Sequence, residues 1–369
     1  MNRSGRAVIG AKACAKSGIV ALALLAGCSG HRSGGSTIDY VSGVTGPEDM
    51  VAVPGTKWLI TSGLKTDKQP GALWLIDSET MSAVQLLGPQ HPVAATDTSP
   101  DLTCTTPIDP LRFSAHGINL AVDKHGAGKL LVVNHGEREA IEIFSIDTAQ
   151  IAPQIVWTGC IKLPVGALGN GVTALTDNNI AATLMNAPEY FTGPADAGHP
   201  ENWVPRLSSG QTTGYAATWR PGEGWKKIPG TEGSGPNGIE TSPDGLSVWV
   251  ALWGNRRIVR APLTAGMAGS SFSVDFMPDN LRWGDDGMLW AAGAATAPSA
   301  YFKCWATPGC RNDFAIAKID PAKMLLMKVP HPATLPKFGD VTTAVMRQGE
   351  VWLAANPSDK VAVMRAAKK

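Results

Sequence analysis

A pattern of three short strands recurs six times along this chain of 369 residues. Each copy has a short strand, a tight turn, a very apolar strand and then a more amphipathic strand. The pattern is clearest over residues 237–263, where SPDG forms the turn, LSVWVALW the apolar run and RRIVRA the outer strand. The other copies begin at residues 49, 116, 170, 279 and 340, so the units follow one another at intervals of roughly 40–70 residues.

These repeats predict an all-β fold. The intervals fall in the range of β-propeller blades, and no segment has a sustained 3.6-residue apolar period. Continuous apolar runs such as residues 246–253 are typical of strands covered on both faces, as when blades stack against each other. A pair of β-sandwiches is the alternative, but six similar units favour a six-bladed β-propeller over residues 46–369.

Composition agrees with a large buried core. Apolar residues make up 44% of the chain and charged residues 17%, which favours a globular protein over a disordered one. The formal net charge is only +1, so nothing indicates a nucleic-acid-binding surface.

The N-terminus has the features of an export signal. Four basic residues among the first 16 precede a short apolar run at 18–27, which is too short to span a bilayer as a stable helix. The run ends in LLAGC, which resembles the lipobox of bacterial lipoproteins. The resemblance implies a signal peptide over 1–27 and lipidation of Cys28. An ordinary secretory signal with an incidental cysteine is the alternative.

The residues after this cysteine suggest where the chain resides. Ser29 follows it rather than aspartate, which in lipoproteins usually implies the outer membrane. We therefore expect a protein of the cell envelope, attached to the membrane through its lipid anchor and facing the periplasm. Residues 28–45 are rich in Gly and Ser and predict a flexible tether.

Four cysteines remain after Cys14 and Cys28 are assigned to the signal, and an exported chain meets an oxidising compartment. Four cysteines allow three pairings. Cys304 and Cys310 flank a short loop that contains Pro and Gly, so we expect them to pair, and a Cys104–Cys160 pair follows by elimination. A zinc site is the rival interpretation, but the chain has no CxxC motif.

Polar residues recur at one position of every repeat, next to the first strand. In a propeller this strand lines the central channel, so residues at its start meet around one channel mouth. The six repeats bring the following residues there: Glu48 and Asp49, His116, Asn170, Asn237, Asp279 and Asn280, and Asp340.

Five of these residues form a set of oxygen ligands, namely Glu48, Asn170, Asn237, Asp279 and Asn280. Two carboxylates and three amide carbonyls suit a hard cation, and a loose geometry favours Ca²⁺ over Mg²⁺. Asn and Asp before a strand are also common turn formers, which is the structural alternative at each single position.

The chain resembles the calcium-dependent paraoxonase/arylesterase family, within the wider six-bladed set that includes gluconolactonases and senescence-marker-type proteins. The resemblance rests on GPEDM (46–50), SAHGI (114–118), LLVVNH (130–135), LGNGV (168–172), PNGIETSPDG (236–245) and PDNLRWGDDG (278–287). It implies that the five oxygen ligands hold a catalytic calcium. It also implies that His116 and His135 match the family's histidine pair, which is thought to activate water.

The resemblance raises the question of a second, structural calcium deeper in the channel. Asp49 and the backbone carbonyl of Ile118 match two of its ligands. The third ligand should be an acidic residue, but the chain has Gly171 there, for which Asp340 is a candidate replacement. The family's histidine after the repeat-five strand is also absent from residues 289–298, so that wall of the pocket should differ.

These features predict a calcium-dependent hydrolase of small-molecule lactones or of aryl and carboxylic esters. We expect His135 to lie beside the attacking water and His116 to hold it in the productive tautomer. The insertion at 188–207 is a candidate lid over the channel mouth. A sugar-lactone hydrolase and a non-catalytic, calcium-stabilised binding scaffold are the alternatives. The chain has no GxSxG motif that would indicate a serine nucleophile.

Overall fold

Hydrogen bonds join the strands of the chain into six separate sheets. The computed structural model describes residues 37–96, 102–104, 106–194, 199–264, 266–305, 307, 310–331, 335 and 338–365. Within this part of the chain the sheets form the six blades of a β-propeller, so the predicted fold is confirmed.

The blades follow one another along the chain, and each runs outward from its channel-lining strand. In blades two and six the outermost strand comes from an earlier part of the chain. The strands are β1 (Thr37–Ser42), β2 (Pro47–Ala52), β3 (Trp58–Gly63), β4 (Ala72–Asp77), β5 (Ser82–Leu87), β6 (Ala94–Ala95), β7 (Ala115–Val122), β8 (Ala127–Asn134), β9 (Ala140–Asp147), β10 (Gln154–Lys162), β11 (Leu168–Ala174), β12 (Ile180–Asn186), β13 (Tyr215–Arg220), β14 (Gly224–Lys227), β15 (Pro236–Thr241), β16 (Ser247–Leu252), β17 (Arg257–Pro262), β18 (Ser270–Ser273), β19 (Met277–Trp283), β20 (Leu289–Ala294), β21 (Phe314–Asp320), β22 (Leu325–Lys328), β23 (Asp340–Arg347), β24 (Glu350–Asn356) and β25 (Lys360–Arg365). Blades one to five contain β2–β5, β6–β10, β11–β14, β15–β18 and β19–β22, and blade six contains β23–β25 with β1.

Strand β1 closes the ring and corrects one boundary. The sequence predicts a tether over 28–45, but Thr37–Ser42 pairs antiparallel with β25 as the outer strand of blade six. It covers an edge that would otherwise expose unpaired backbone groups. Val41 is buried, and the ring of Tyr40 lies 5.9 Å from that of Phe338. The propeller therefore begins before residue 46.

The second strands of blades four and five, β16 and β20, are buried along their whole length, as the continuous apolar runs predict. All six residues of β16 are buried. The core consists of apolar clusters between neighbouring blades: Ala181 and Ala216 of blade three, for example, pack in one cluster with Ile239 and Val250 of blade four. Burying one such valine or isoleucine side chain contributes about 1.5–3 kcal/mol.

Both predicted disulfides are confirmed. Cys104 bonds Cys160 and ties the segment before β7 to the outer strand β10. Cys304 bonds Cys310 across the short loop that follows a helix. Cys28 and Cys14 lie outside the described residues. No helix in the described part of the chain is long and apolar enough to cross a membrane.

Two short α-helices lie in the connections between strands of blades three and five. Helix α1 (Pro200–Ser208) lies between β12 and β13, and helix α2 (Pro298–Trp305) lies between β20 and β21. The rings of Trp203 and Phe302 approach to 6.5 Å between their centroids. The two helices therefore meet, and both contribute to one cavity.

Candidate active site

The same backbone irregularity occurs in five of the channel-lining strands. In β2, β7, β11, β15 and β19 the pairing with the next strand skips two residues. Such an irregularity bends the strand and re-aims the side chains within it. The skipped pairs are Glu48 and Asp49, His116 and Gly117, Asn170 and Gly171, Asn237 and Gly238, and Asp279 and Asn280.

A glycine in this position lets neighbouring blades approach closely. A Cβ atom placed on Gly117 would lie 2.2 Å from the carbonyl oxygen of Asn170 in the next blade. The His-Gly and Asn-Gly pairs of the repeats therefore have a steric cause. The first residue of each pair points to the channel mouth. The second is a glycine because a side chain there would collide with the adjoining strand.

The predicted residues meet at the floor of a cavity of about 510 Å³. Six of them line it, namely Glu48, His116, His135, Asn170, Asn237 and Asp279. One part of the wall is apolar and aromatic, formed by Trp203, Leu207, Trp253, Tyr301 and Phe302, while Lys65, Thr66 and Asp67 make another part polar. Asn280 lies directly behind this floor, where its side-chain Nδ2 donates a hydrogen bond to Glu48 Oε1 at 2.8 Å.

Four of the five predicted calcium ligands carry a buried oxygen without a hydrogen-bond partner. These atoms are Glu48 Oε2, Asn170 Oδ1, Asn237 Oδ1 and Asn280 Oδ1. A buried polar atom left unpaired costs about 1–3 kcal/mol, so four in one ring need a physical explanation. Carboxylate and amide oxygens are the ligands that Ca²⁺ prefers. The residues present therefore fit a calcium ion.

The charges of the ring agree with this fit. Burial, together with the negative charges of Glu48 and Asp49, raises the pKa of Asp279 well above its ordinary value. Burial acts in the same direction on Glu48, but its electrostatic interactions with the nearby His116 and Asn280 side chains outweigh burial and lower the pKa of Glu48. A divalent cation would stabilise both carboxylates as anions.

Amide oxygens are essential to this candidate site. Among the residues that the structure describes, no group of three or more His, Cys, Asp or Glu side chains is arranged to hold a metal ion. The donor set instead combines two carboxylates with three amides. This composition argues against zinc or copper, which favour imidazole and thiolate ligands.

The two histidines lie in hydrogen-bond contact, in an order opposite to the one expected. His116 Nδ1 lies 2.7 Å from His135 Nε2. The other nitrogen of His116, Nε2, faces the ring, 3.6 Å from Glu48 Oε2 and 3.5 Å from Asn170 Nδ2. The structure thus places His116, and not His135, against the candidate cation site, because His116 lies inside the irregular part of β7 and His135 follows the end of β8.

Glu139 completes a row of three side chains. Both of its carboxylate oxygens lie 2.9 Å from His135 Nδ1. The backbone of Glu139 is fixed within its own blade, since its carbonyl accepts a hydrogen bond at 3.0 Å from the N–H of Leu163, the residue after β10. The side chains are therefore ordered from the outside inward as Glu139, His135, His116.

A buried polar network holds the loop that carries His135. Asn134 Oδ1 accepts hydrogen bonds from the backbone of Ser114 and Gly136, and Asn134 Nδ2 donates to Glu142 Oε1 at 3.0 Å. The buried Glu142 carboxylate also accepts hydrogen bonds from Arg138. Satisfied networks of this kind rigidify a site.

Two of the residues predicted to bind a second calcium lie together, but their oxygens contact an arginine side chain. Asp49 and the carbonyl of Ile118 both accept hydrogen bonds from the guanidinium of Arg282. Asp340 is bonded elsewhere: its carboxylate accepts hydrogen bonds from the backbone and side-chain nitrogens of Asn312 at 2.8 and 2.9 Å. Asp340 therefore does not compensate for the missing acid at Gly171.

Sequence reasoning overlooked Glu139 and Arg282. Glu139 carries no local signal, because it lies four residues after His135 in a loop and not on a helix. Arg282 does carry one: it is the single cation of the inner strand Met277–Trp283, and a buried charge requires a partner. Glu240, at the same register position of the neighbouring inner strand, is that partner.

Comparison with solved structures supports the fold. A gluconolactonase from Xanthomonas campestris matches with a TM-score of 0.52 at 17% identity, over 89% of this chain and 89% of that chain. The luciferin-regenerating enzyme matches with a TM-score of 0.50 at 14% identity, over 90% of this chain and 95% of that chain. At these identities the likeness shows the six-bladed fold alone. No family model and no curated protein matches the chain.

Proposed function

We propose that the protein is a calcium-dependent hydrolase of lactones or esters that acts at the channel mouth. The observation that carries the proposal is the ring of four unpartnered buried oxygens beside a hydrogen-bonded histidine pair. The likeness to a protein described as a gluconolactonase adds support for lactone chemistry. Glu48, Asn170, Asn237, Asp279 and Asn280 are the proposed calcium ligands.

The hydrogen-bond row determines which nitrogen of His116 can accept a proton. The Glu139 carboxylate only accepts hydrogen bonds, so His135 carries its proton on Nδ1 and presents Nε2 as an acceptor. His116 must then donate from Nδ1, which leaves a free lone pair on Nε2. That lone pair faces the ring, where a water molecule would attack the substrate carbonyl.

In the proposed reaction His116 Nε2 takes the proton of the attacking water as general base. His135 and the Glu139 carboxylate stabilise the imidazolium that forms, and the imidazolium gives its proton to the leaving alkoxide oxygen as the carbonyl–oxygen bond breaks. When bound, Ca²⁺ supplies a Lewis acid that polarises the carbonyl and stabilises the negative charge developing on it. No covalent nucleophile is needed.

The walls of the cavity favour a substrate with an apolar or aromatic group. Trp203, Trp253, Tyr301 and Phe302 present aromatic surface. Burying an apolar group against these rings is favourable, whereas sugar hydroxyls packed against them would lose hydrogen bonds to water. We therefore expect aliphatic lactones or aryl esters to be better substrates than a sugar lactone.

Hydrolysis of a small panel tests the proposal: an aliphatic lactone, a sugar lactone and phenyl acetate, each with calcium and with a chelator. We expect turnover that the chelator abolishes. A folded, calcium-binding protein without turnover on any of the three would instead support the calcium-stabilised scaffold. Preference for the sugar lactone would support a gluconolactonase-like hydrolase.

We also propose that Cys28 carries a lipid anchor that holds the enzyme on the outer membrane, facing the periplasm. The LLAGC motif supports this proposal. Labelling cells with a fatty-acid analogue tests it, with Cys28→Ser as the control. The wild-type protein should be labelled and sediment with outer membranes, whereas label in Cys28→Ser would contradict the assignment.

A further inference from the structure

One layer below the candidate calcium ring, the channel contains a second group of buried charges. Arg282 of β19 and Glu240 of β15 occupy the same register position in neighbouring blades, as the second residue after the irregular pair of each strand. Both side chains are buried. Arg282 Nη1 donates a hydrogen bond to Glu240 Oε1 at 2.8 Å, and Arg282 Nη2 is paired with the buried carboxylate of Asp49.

We propose that the Arg282 guanidinium is a built-in cation that occupies the place of a second metal ion in the central channel. The proposal does not depend on catalysis. It concerns how the channel neutralises its buried carboxylates, which would be costly without a counter-charge.

The hydrogen bonds of the guanidinium leave none of its donors unused. A guanidinium has five N–H donors. Nε donates to Met50 O at 2.9 Å, and Nη1 to Glu240 Oε1 and to Leu281 O at 2.7 Å. Nη2 donates to Asp49 Oδ2 and to Ile118 O at 2.6 Å. One side chain thus connects the inner strands of blades one, two, four and five, as a shared metal ion would.

The oxygens expected to bind a second calcium are already occupied. Asp49 Oδ1 accepts hydrogen bonds from Met50 N at 2.8 Å and Thr343 Oγ1 at 3.2 Å. Its Oδ2 accepts one from Ile118 N at 2.8 Å as well as the one from Arg282. These oxygens contrast with the four unpartnered oxygens of the ring above. The residues present do not fit a second calcium.

The position of the third expected ligand has no room for a side chain. A Cβ atom on Gly171 would lie 2.8 Å from Asn237 O and 3.0 Å from Ile239 N. An acidic residue there would require β15 to move. The glycine at position 171 and the buried guanidinium therefore agree: the channel offers no acidic ligand there and already holds an internal cation.

The test is the number of calcium ions bound per chain, counted by native mass spectrometry and by calorimetric titration with CaCl₂. We expect Arg282→Ala to bind one more calcium ion than the wild type, because it exposes Asp49, Glu240 and the carbonyls of Met50 and Ile118. In chelator this variant should melt about 5–10 °C below the wild type, and calcium should restore most of the loss.

Two results would overturn the proposal. One is a second calcium in the wild type that Glu240→Gln removes, and the other is a folded Arg282→Ala with an unchanged calcium count. If Arg282→Ala does not fold, the proposal is tested with the triple variant Arg282→Met/Asp49→Asn/Glu240→Gln, which removes all three buried charges together. It should fold without a second calcium if the arginine serves as the counter-charge, and failure of this variant to fold would contradict that role. Because the count is a difference from the wild type, it is independent of whether the ring above binds calcium.

Discussion

His116 Nδ1 lies 2.7 Å from Nε2 of His135, so the two imidazoles share one hydrogen bond at the channel mouth. The bond joins the ends of two neighbouring strands: His116 lies in the irregular part of β7, and His135 follows β8. The inner histidine is thereby held with its second nitrogen toward the candidate calcium ring. This arrangement makes the two histidines unequal, and the first two predictions follow from that inequality.

Replacing the inner histidine should remove most of the activity. In His116→Gln we expect kcat to fall by about 10²–10⁴-fold, the usual contribution of a general base. His135→Gln should have a smaller effect, because His116 keeps its lone pair toward the ring. Calcium affinity should stay within a few-fold of the wild type in both variants. Steady-state kinetics with phenyl acetate measures the difference, and wild-type kcat in His116→Gln would show that the pair is structural.

Glu139 should act as a positioning residue. In Glu139→Gln we expect kcat to fall while KM changes little, because the amide can also donate and no longer imposes the tautomer of His135. Glu139→Asp should recover part of the loss. The matched control is Glu137→Gln in the same loop, since Glu137 pairs with Arg112 and Arg138 and not with a histidine. Equal effects of Glu139→Gln and Glu137→Gln would remove the assigned role.

Calcium should stabilise the fold through the ring. A ligand that binds only the folded state at 100 times its Kd stabilises it by about 2.7 kcal/mol, so chelator should lower the Tm of the wild type. We expect Glu48→Gln and Asp279→Asn to weaken this calcium effect. Asp275→Asn is the control, because Asp275 is an exposed partner of Lys328. A wild-type Tm that is the same with calcium and with chelator would exclude the calcium assignment.

The aromatic wall should set substrate preference. We expect Trp203→Ala to lower kcat/KM for an aryl ester by about 10-fold or more and to change kcat/KM for a sugar lactone much less. The two substrates serve as controls for each other, because a general loss of structure would lower both values alike. Equal losses would mean that Trp203 supports α1 without contacting the substrate.

Local patterns in the chain predicted the features that repeat. The alternation of turns and apolar runs predicted the blades, because a strand covered on both faces must be apolar along its length, as β16 is. The residues at the start of each inner strand could be aligned for the same reason. The backbone irregularity that turns Glu48 and Asp279 toward one axis is common to the repeats, so the alignment located their meeting point.

Features that depend on contacts between distant residues could not be predicted in this way. The pairing of β1 with β25 joins the two ends of the described chain, and TIDYVS alone is too short to indicate its partner. The order of His116 and His135 depends on ring orientations, which sequence spacing does not determine. Arg282 lies 233 residues from Asp49, so their pairing is visible only once the blades are assembled around the channel.

The rate of lactone hydrolysis at increasing free calcium, measured together with the calcium bound per chain, tests the central claim most directly. The wild type should be inactive in chelator, and its rate should rise in proportion to occupancy of the ring. Glu48→Gln should need more calcium to reach the same rate. A rate that is unchanged between chelator and saturating calcium would contradict the account.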